Sequence, residues 1–532
     1  MSAAMRLNAL SWLVLFCSAL VAEAQAPTNG PVRQMSLNDC IRMALERNLS
    51  IQIGDRVALG DTADLDVRSG GRIGLEDTRL QLEDAYGYYD PVVAGRAGQN
   101  FEARTGGTDP TTGLALPGED QWTENFRLGV AGYLPTGARY ELASAMSRLS
   151  GGEHLDTDPL SPTFGLRVAD SWEYRSQAAI TVTQPLLKNF WTDQGRTEIK
   201  LRKNAIRRSE WAFRLLVMDI VKRVADAYYD LLAARDQIRV QAKALELAQQ
   251  LVAENRKKVE VGTLAPLDER QAEAQAATAK SDLTAAIFAS QEAENLLKAL
   301  ISHEFTGIQP TTIEPTEKLV AVFQALNLAE SWRTGLEQRP DYLLAKQELE
   351  NRDIALVFRK NQLYPQLDVV GTYGRSGLGG STADSWETID DNRFPNWGGA
   401  IILSFPLTSK SERSAYKSAK LAKQASILGL KRVEDSILQE IDIALKAVKS
   451  AYDATESSRQ ARIYAEEALS AEQKKLENGK STSFQVLQFQ RDLTDASSKE
   501  IRALSAYNKA LHNLYFREGT TLDRNKVTLE LK

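Results

Sequence analysis

The chain has 532 residues, 25% of them charged, with a formal net charge of −5, and no Lys/Arg-dense block gives it the footprint of a nucleic-acid or anionic-lipid binder. Its two cysteines, Cys17 and Cys40, cannot leave an internal disulfide in a chain that has lost its leader, so stability must come from packing. Length alone would suggest several compact domains, but an architecture of long helices has a thin seam for a core and escapes that scaling.

Residues 1–24 read as a secretory signal: Arg6 supplies the positive charge, residues 10–21 are apolar, and Ala22-Glu23-Ala24 is a small-x-small cleavage site before Gln25. Cys17 follows the bulky Phe16, where a lipoprotein signal would carry a small residue, so cleavage is preferred to lipidation. After the leader no run approaches the roughly 20 consecutive apolar residues of a membrane-spanning helix. Any passage through a bilayer must therefore use strands.

One order of features then occurs twice. Leu45-Glu46-Arg47-Asn48-Leu49 resembles Leu336-Glu337-Gln338-Arg339-Pro340, and each leads into a helical stretch. Residues 54–74, with Gly70, Gly71 and Gly74, read as a local insertion rather than an uninterrupted helix. Tyr89-Asp90-Pro91 and Leu363-Tyr364-Pro365 precede alternating segments, and Gln184-Pro185-Leu186 and Phe405-Pro406-Leu407 close strands and open long helices. Val261-Gly262-Thr263 and Asn478-Gly479-Lys480 break those helices. Pro185/Pro406 and Gly262/Gly479 are offset by 221 and 217 residues but Pro91/Pro365 by 274, which places an insertion of about 53 residues among the first copy's strands. The first repeat is thus 36–301, with strands about 92–186 and a helical hairpin about 190–301. A linker covers 302–335, the second repeat 336–516 (strands about 366–406, hairpin about 410–516), and a tail 517–532.

In the strand regions Trp172, Tyr174, Ala178, Ile180 and Val182 alternate with Glu173, Arg175, Gln177 and Thr181, the pattern of a strand between lipid and water. Trp397, Ile401, Leu403 and Phe405 repeat it, as do Leu367, Val369 and Tyr373, and Val93, Ala97, Phe101 and Ala103 more weakly. The insertion predicts a hairpin, with Phe126, Leu128 and Val130 before the turn Pro135-Thr136-Gly137 and Tyr140, Leu142 and Met146 after it. Residues 102–121, 150–170 and 374–395 read as long Gly/Asp/Ser-rich loops. Four to six strands cannot close a membrane barrel, and an open edge in lipid costs several kcal/mol per unpaired group, so several chains must share one barrel. Three chains give twelve strands without the extra hairpin and eighteen with it.

In the first long helix Val217, Val224, Leu231, Ile238, Leu245, Val252 and Val259 fall at intervals of seven, a coiled-coil seam, with Ile220, Ala227, Ala234, Gln241, Ala248 and Asn255 as companions. The second copy keeps the phase at Ile441, Val448, Leu469 and Leu476, interrupted by Thr455 and Arg462. Helical pattern resumes after Gly262 and Gly479, so each long helix turns back as a hairpin.

The leader, the duplicated order of strands and helical hairpins, the Gln184-Pro185-Leu186 turn into a helix and the Gly-x5-Asp spacing from Gly262 to Asp268 together resemble the TolC-like outer-membrane efflux proteins, over almost the whole mature chain. The resemblance implies a membrane α+β fold. Duplicated strand-pair and long-hairpin repeats form a shared trimeric β-barrel, continued by an α-helical barrel across the periplasm. It implies a homotrimer in the outer membrane, working with a periplasmic adaptor and an inner-membrane transporter in efflux or secretion.

It also places the gate at the hairpin tips: Gly262, Thr263 and Asp268 in the first, and Gly479, Lys480, Ser481, Gln485 and Gln488 in the second. Where the family often carries a ring of carboxylates this chain has the neutral Gln485 and Gln488, which puts an acidic cation-selective ring in doubt. Asp268 matches the acidic position of the first hairpin and is expected to bond Lys480 or Ser481 of a neighbouring hairpin. As a helix-start acid it has an equally good structural reason to be there. The glycines serve equally as helix terminators. Trp172, Tyr174 and Trp397 are expected as anchors at the membrane interface, with packing against a neighbour as the alternative for the tryptophans.

His154, His303 and His512 are scattered, with no spacing for a metal site or a nucleophile–base pair, and there is no Gly-x4-Gly-Lys phosphate loop. No enzyme activity, metal or cofactor is expected, and a partner must supply any energy for transport. The reading from a different class is an envelope-spanning coiled-coil protein that does not conduct; a stand-alone porin would not need duplicated hairpins.

Overall fold

The computed structural model describes residues 31–529 except 55, 59–63, 67–70, 105–107, 109–110, 115–118, 151–152, 156–158 and 170–171. The leader and Cys17 lie outside the described residues. The chain opens with β1 (Val32–Met35), α1 (Leu37–Arg47), α2 (Leu49–Ile53), the short hairpin β2 (Arg56–Ala58) and β3 (Asp64–Asp66), and α3 (Arg72–Tyr86). Then come β4 (Val92–Arg104), β5 (Glu119–Tyr133), β6 (Arg139–Ser150), the small pair β7 (Glu153–Leu155) and β8 (Arg167–Ala169), and β9 (Glu173–Pro185). Two long helices, α4 (Gln194–Glu260) and α5 (Pro266–Ile301), form the first hairpin, followed by α6 (Phe305–Ile308) and β10 (Thr312–Pro315). The second half runs α7 (Leu328–Gln338), α8 (Pro340–Asn361), β11 (Gln366–Gly379), α9 (Thr382–Asp390), β12 (Pro395–Ser404), α10 (Lys410–Glu477), α11 (Ser483–Glu518) and α12 (Thr521–Arg524).

The internal echo has a structural counterpart. Asn48 separates α1 from α2 and Arg339 separates α7 from α8, with nearly the same extended backbone (φ −72°, ψ 126° and φ −68°, ψ 123°). Each reaches the carbonyl at the end of its own hairpin's return helix: Asn48 Nδ2 donates to Leu300 O at 2.7 Å, Arg339 Nη1 to Arg517 O at 3.3 Å. Those two acceptors are 217 residues apart, the spacing of the two hairpin glycines. A polar brace at this corner fixes where the short helices meet the long ones in both copies.

The expected linker does more than connect. Thr312–Pro315 pairs in parallel with Val32–Met35, and α7 begins at Leu328, so the two repeats are joined by a shared two-stranded sheet. The insertion at 54–74 contains the β2–β3 hairpin and returns the chain so tightly that a Cβ on Gly71 would lie 2.3 Å from Gly54 N.

Helix α4 has 67 residues and α10 has 68, each about 100 Å long at 1.5 Å per residue. The main core surrounds the upper half of α4, where Leu216, Ile220, Val224 and Leu231 meet Ile41 of α1, Leu297 of α5 and Ile313 of β10. Farther down the buried positions change. Ile238, Leu245, Val252 and Val259 are only half-buried, while Ala248, Leu251 and Asn255 are buried. In a single chain the lower α4 contacts α5 and α11, so the other flank of its heptad stripe stays open. The polar interruptions of α10 are satisfied: Thr455 Oγ1 donates to Tyr452 O at 2.7 Å, and Arg462 pairs with Glu466 and with Glu500 of α11. His512 is buried against Tyr229, and desolvation, helped by Lys222, lowers its pKa to about 4, which makes it a neutral packing residue.

Candidate channel wall and hairpin tips

Six strands form one antiparallel sheet in the order β12-β11-β9-β6-β5-β4, so the inserted hairpin β5–β6 joins the sheet between β4 and β9. Neither β12 nor β4 has a partner on its outer edge among the described residues.

Ladder partners project to the same side, so the register sorts the faces. From Ile180 in β9 it runs through Leu142 and Val130 to Val93 in one direction, and through Tyr373 to Trp397 in the other. That face is open in the single chain: Trp397 is 83% and Ile401 74% exposed. On the opposite face the row from Gln177 runs through Ala145, Arg127 and Arg96 in one direction and to Ser376 in the other. The sheet curls around this polar face and encloses a groove of ≈ 880 Å³. An apolar face turned outward and a polar one turned inward is the arrangement of a membrane barrel wall.

The β5–β6 turn is tight, with Gly137 at φ 86° and Leu134 N donating to Ala138 O at 2.7 Å. It lies at the helix end of the sheet, close to Asn189. The long connections lie at the other end. One of them differs from the expected loop at 374–395: β11 continues to Gly379, and α9 packs on the sheet's apolar side. Gly377 and Gly379 permit this close approach, since a Cβ on Gly377 would sit 1.9 Å from Ser385 O and one on Gly379 2.6 Å from Ser385 N. A buried Ser176–Ser385 hydroxyl contact of 2.6 Å and the bond from Arg375 Nη1 to Ile389 O hold the helix there.

Trp172 lies at the outer end of the apolar side, where the β5–β6 register brings Trp122 to Ser150 and the Phe101 ring lies tilted against Trp122 with centroids 4.7 Å apart. The Arg148 guanidinium lies 3.4 Å from the Trp172 ring centroid and 5.7 Å from that of Tyr174, and it bonds Glu124 at 3.2 Å. Trp397 stands opposite Tyr373, in register with Ile180. Ile180 is eight residues nearer the helices than Trp172, so the two tryptophans sit at different heights on the wall.

At the other extreme of the chain, Gly262 (φ 74°) and Gly479 (φ 68°) end the two descending helices, with open space around both. Their role is the left-handed backbone that releases a helix into a turn. Thr263 N and Oγ1 both donate to Lys258 O, and Lys480 N donates to Lys475 O. Helix α5 restarts at Pro266 with Asp268 and Glu269 in its first turn, where the helix dipole favours acids. Thr482 caps α11 by accepting from Gln485 N at 3.3 Å.

The two tips are tied together by a residue that the heptad pattern records only as a seam companion. Asn255 is fully buried; its Nδ2 donates to Asp268 O at 3.2 Å, and its Oδ1 accepts from Ser483 Oγ of the other hairpin at 3.0 Å. Arg491 Nε adds a bond to Gln275 Oε1 at 2.7 Å. Ser481 donates to Glu472 at 2.5 Å, and this bond, with Lys475, holds the Glu472 carboxyl below its usual pKa. Gln485 and Gln488 are exposed on α11, and Gln488 donates to Asp492 at 3.2 Å. Asp268 is half-buried and Lys480 exposed. Asn255, Ser483 and Glu472 were not singled out from the sequence; the only signal was a polar companion, Asn255, in an apolar seam.

No helix among the described residues is long and apolar enough to cross a membrane. The described residues also hold no group of three His, Cys, Asp or Glu placed to bind a metal ion. The chain matches the family model described as outer membrane efflux protein over residues 166–303 and 333–520. It is 24% identical over 355 residues to the outer membrane protein TolC of Vibrio cholerae serotype O1, covering 65% of this chain and 77% of that protein. Its fold is similar to that of the outer-membrane channel OprN (16% identity, 91% of this chain and 90% of that one, TM-score 0.63). It is also similar to the CmeC outer membrane channel of Campylobacter jejuni (15%, 93% and 90%, TM-score 0.62) and to the open-state MtrE outer membrane channel of Neisseria gonorrhoeae (18%, 92% and 91%, TM-score 0.60). With its two-faced sheet continued by paired helical hairpins, the chain belongs to the outer membrane efflux protein family, a family of channels rather than enzymes, placed in the outer membrane with its helices extending into the periplasm.

Proposed function

We propose that three copies of the chain close one barrel and one helical tunnel, forming an export duct that an inner-membrane transporter feeds through a periplasmic adaptor. The observation that carries this reading is the register of the six-stranded sheet, which gives each copy an apolar outer face, a polar inner face and two unpaired edges. Six strands from each of three copies make eighteen, and pairing β12 of one copy with β4 of the next removes every open edge from the lipid. The open flank of the lower α4 stripe is covered by the neighbouring hairpins in the same assembly. Trp172 and Tyr174, with Trp122, anchor the outer rim in the lipid headgroup layer, and Trp397 faces the acyl chains.

At the tip Asn255 and Ser483 join the two hairpins of one copy, so the gate lies between copies. Asp268 of one copy faces Lys480 of the next; the Ser481 hydroxyl already donates a hydrogen bond to Glu472 and is the weaker partner. Purified oligomer in planar bilayers should pass ion current, and Asp268→Ala should raise its single-channel conductance about twofold or more, since the lost interaction is of the size of an exposed ion pair. Unchanged conductance removes Asp268 from the gate, and no current even from tip-loosened variants favours a non-conducting scaffold.

A further inference from the structure

We propose that the barrel interior carries an anion-recognising ring built from Arg96, one at each seam between copies, which takes permeants bearing a carboxylate, sulfonate or phosphate group. The proposal rests on the duct reading and concerns what the duct prefers. Arg96 on β4 and Arg127 on β5 are direct partners across the ladder, both on the polar side. Like charges placed directly opposite destabilise a sheet unless something compensates them.

Of the carboxylates on this side, Glu141, Glu173 and Asp368 are committed elsewhere, Asp368 accepting from Gln366 at 2.6 Å, and Glu102 stands six residues along β4 from Arg96. Glu141 pairs with Arg127 at 2.6 Å and lies 3.8 Å from Arg139; Glu173 pairs with Arg175 at 2.5 Å. Arg96 has no ion-pair partner among the described residues, and it is exposed to the groove that the curled sheet encloses.

Closing the barrel does not supply the missing charge. The free edge of β4 meets a neighbour's β12, whose residues on the polar side are Asn396, Gly398, Ala400, Ile402 and Ser404. None is charged, so any pairing register leaves Arg96 without a carboxylate on that strand. Three guanidiniums therefore face the lumen with solvent or a passing anion as partner, the arrangement by which charged rings select anions. A guanidinium also offers two parallel donors to a carboxylate, sulfonate or phosphate.

The test is the reversal potential of the full-length oligomer in a bilayer separating two potassium chloride concentrations. Wild-type channels should favour chloride. Arg96→Gln should lower the chloride-to-potassium permeability ratio by about threefold or more, Arg96→Lys should retain it, and Arg96→Glu should reverse it, with unit conductance little changed. Conducting channels whose ratio is the same in wild type and Arg96→Glu would overturn the ring while leaving the duct intact. No conductance at all would overturn the duct reading itself.

Discussion

Arg339→Ala should cost about 3 kcal/mol of folding stability, the lower end of what is lost when one partner of a buried ionic network is removed. Arg339 is only 3% exposed, and its two Nη atoms reach Asp341 at 2.6 Å and Glu440 at 2.9 Å. Removing it leaves the Asp341 carboxylate buried without a counter-charge. Glu440 retains Arg517 at 3.0 Å, which keeps the loss from being larger. Arg339→Lys should recover only part, because an ammonium lacks the planar fork that bonds both oxygens of Asp341 while the third nitrogen reaches Glu440. Thermal unfolding of the detergent-solubilised protein, followed by helical circular dichroism, gives the comparison. A midpoint within about 1 °C of wild type for Arg339→Ala would mean that the corner between α7, α8, α10 and α11 does not depend on this network.

The second large effect separates the two faces of the sheet. Ile180→Arg places a charge on the apolar side in the middle of the strand and should cost about 2–4 kcal/mol per copy, whereas Thr181→Arg, one residue along and on the polar side, should cost under about 1 kcal/mol. Because each copy repeats the lesion, Ile180→Arg should sharply reduce the assembled oligomer recovered from outer membranes, and Thr181→Arg should leave the yield near wild type. The opposite ranking would mean that the faces are reversed.

Both experiments draw on features that the sequence showed unequally. The alternation of Trp172, Tyr174, Ala178, Ile180 and Val182 with polar residues is a local pattern, and the ladders show that the partners of these positions on β6, β5, β4, β11 and β12 lie on one face. Likewise Gly262 and Gly479 announce hairpin turns because a left-handed backbone position excludes most other residues. The repeat of Leu45–Leu49 in Leu336–Pro340 was visible too.

What it braces was not, because the acceptors at Leu300 and Arg517 lie 252 and 178 residues from their donors, and no local pattern encodes such a contact. The same limit hid Asn255, whose partners Asp268 and Ser483 come from two different hairpins. The helix α9 was missed for another reason. Residues 374–395 are rich in Gly, Asp and Ser, which reads as a loop, yet two of those glycines exist to let a helix backbone rest on the strand. Pairing of β10 with β1 was unreadable because a four-residue strand carries too little alternation to stand out from a proline-containing linker.

The claim on which the rest depends is that one copy supplies six strands of a wall that only several copies can close. A three-dimensional reconstruction of the detergent-solubilised assembly tests it most directly by counting subunits and strands. The expected density has three subunits around one axis and eighteen strands in a single barrel, with β4 of each copy beside β12 of the next. Single copies that each close a barrel of their own, or a water-soluble monomer with the long helices folded back on themselves, would contradict it.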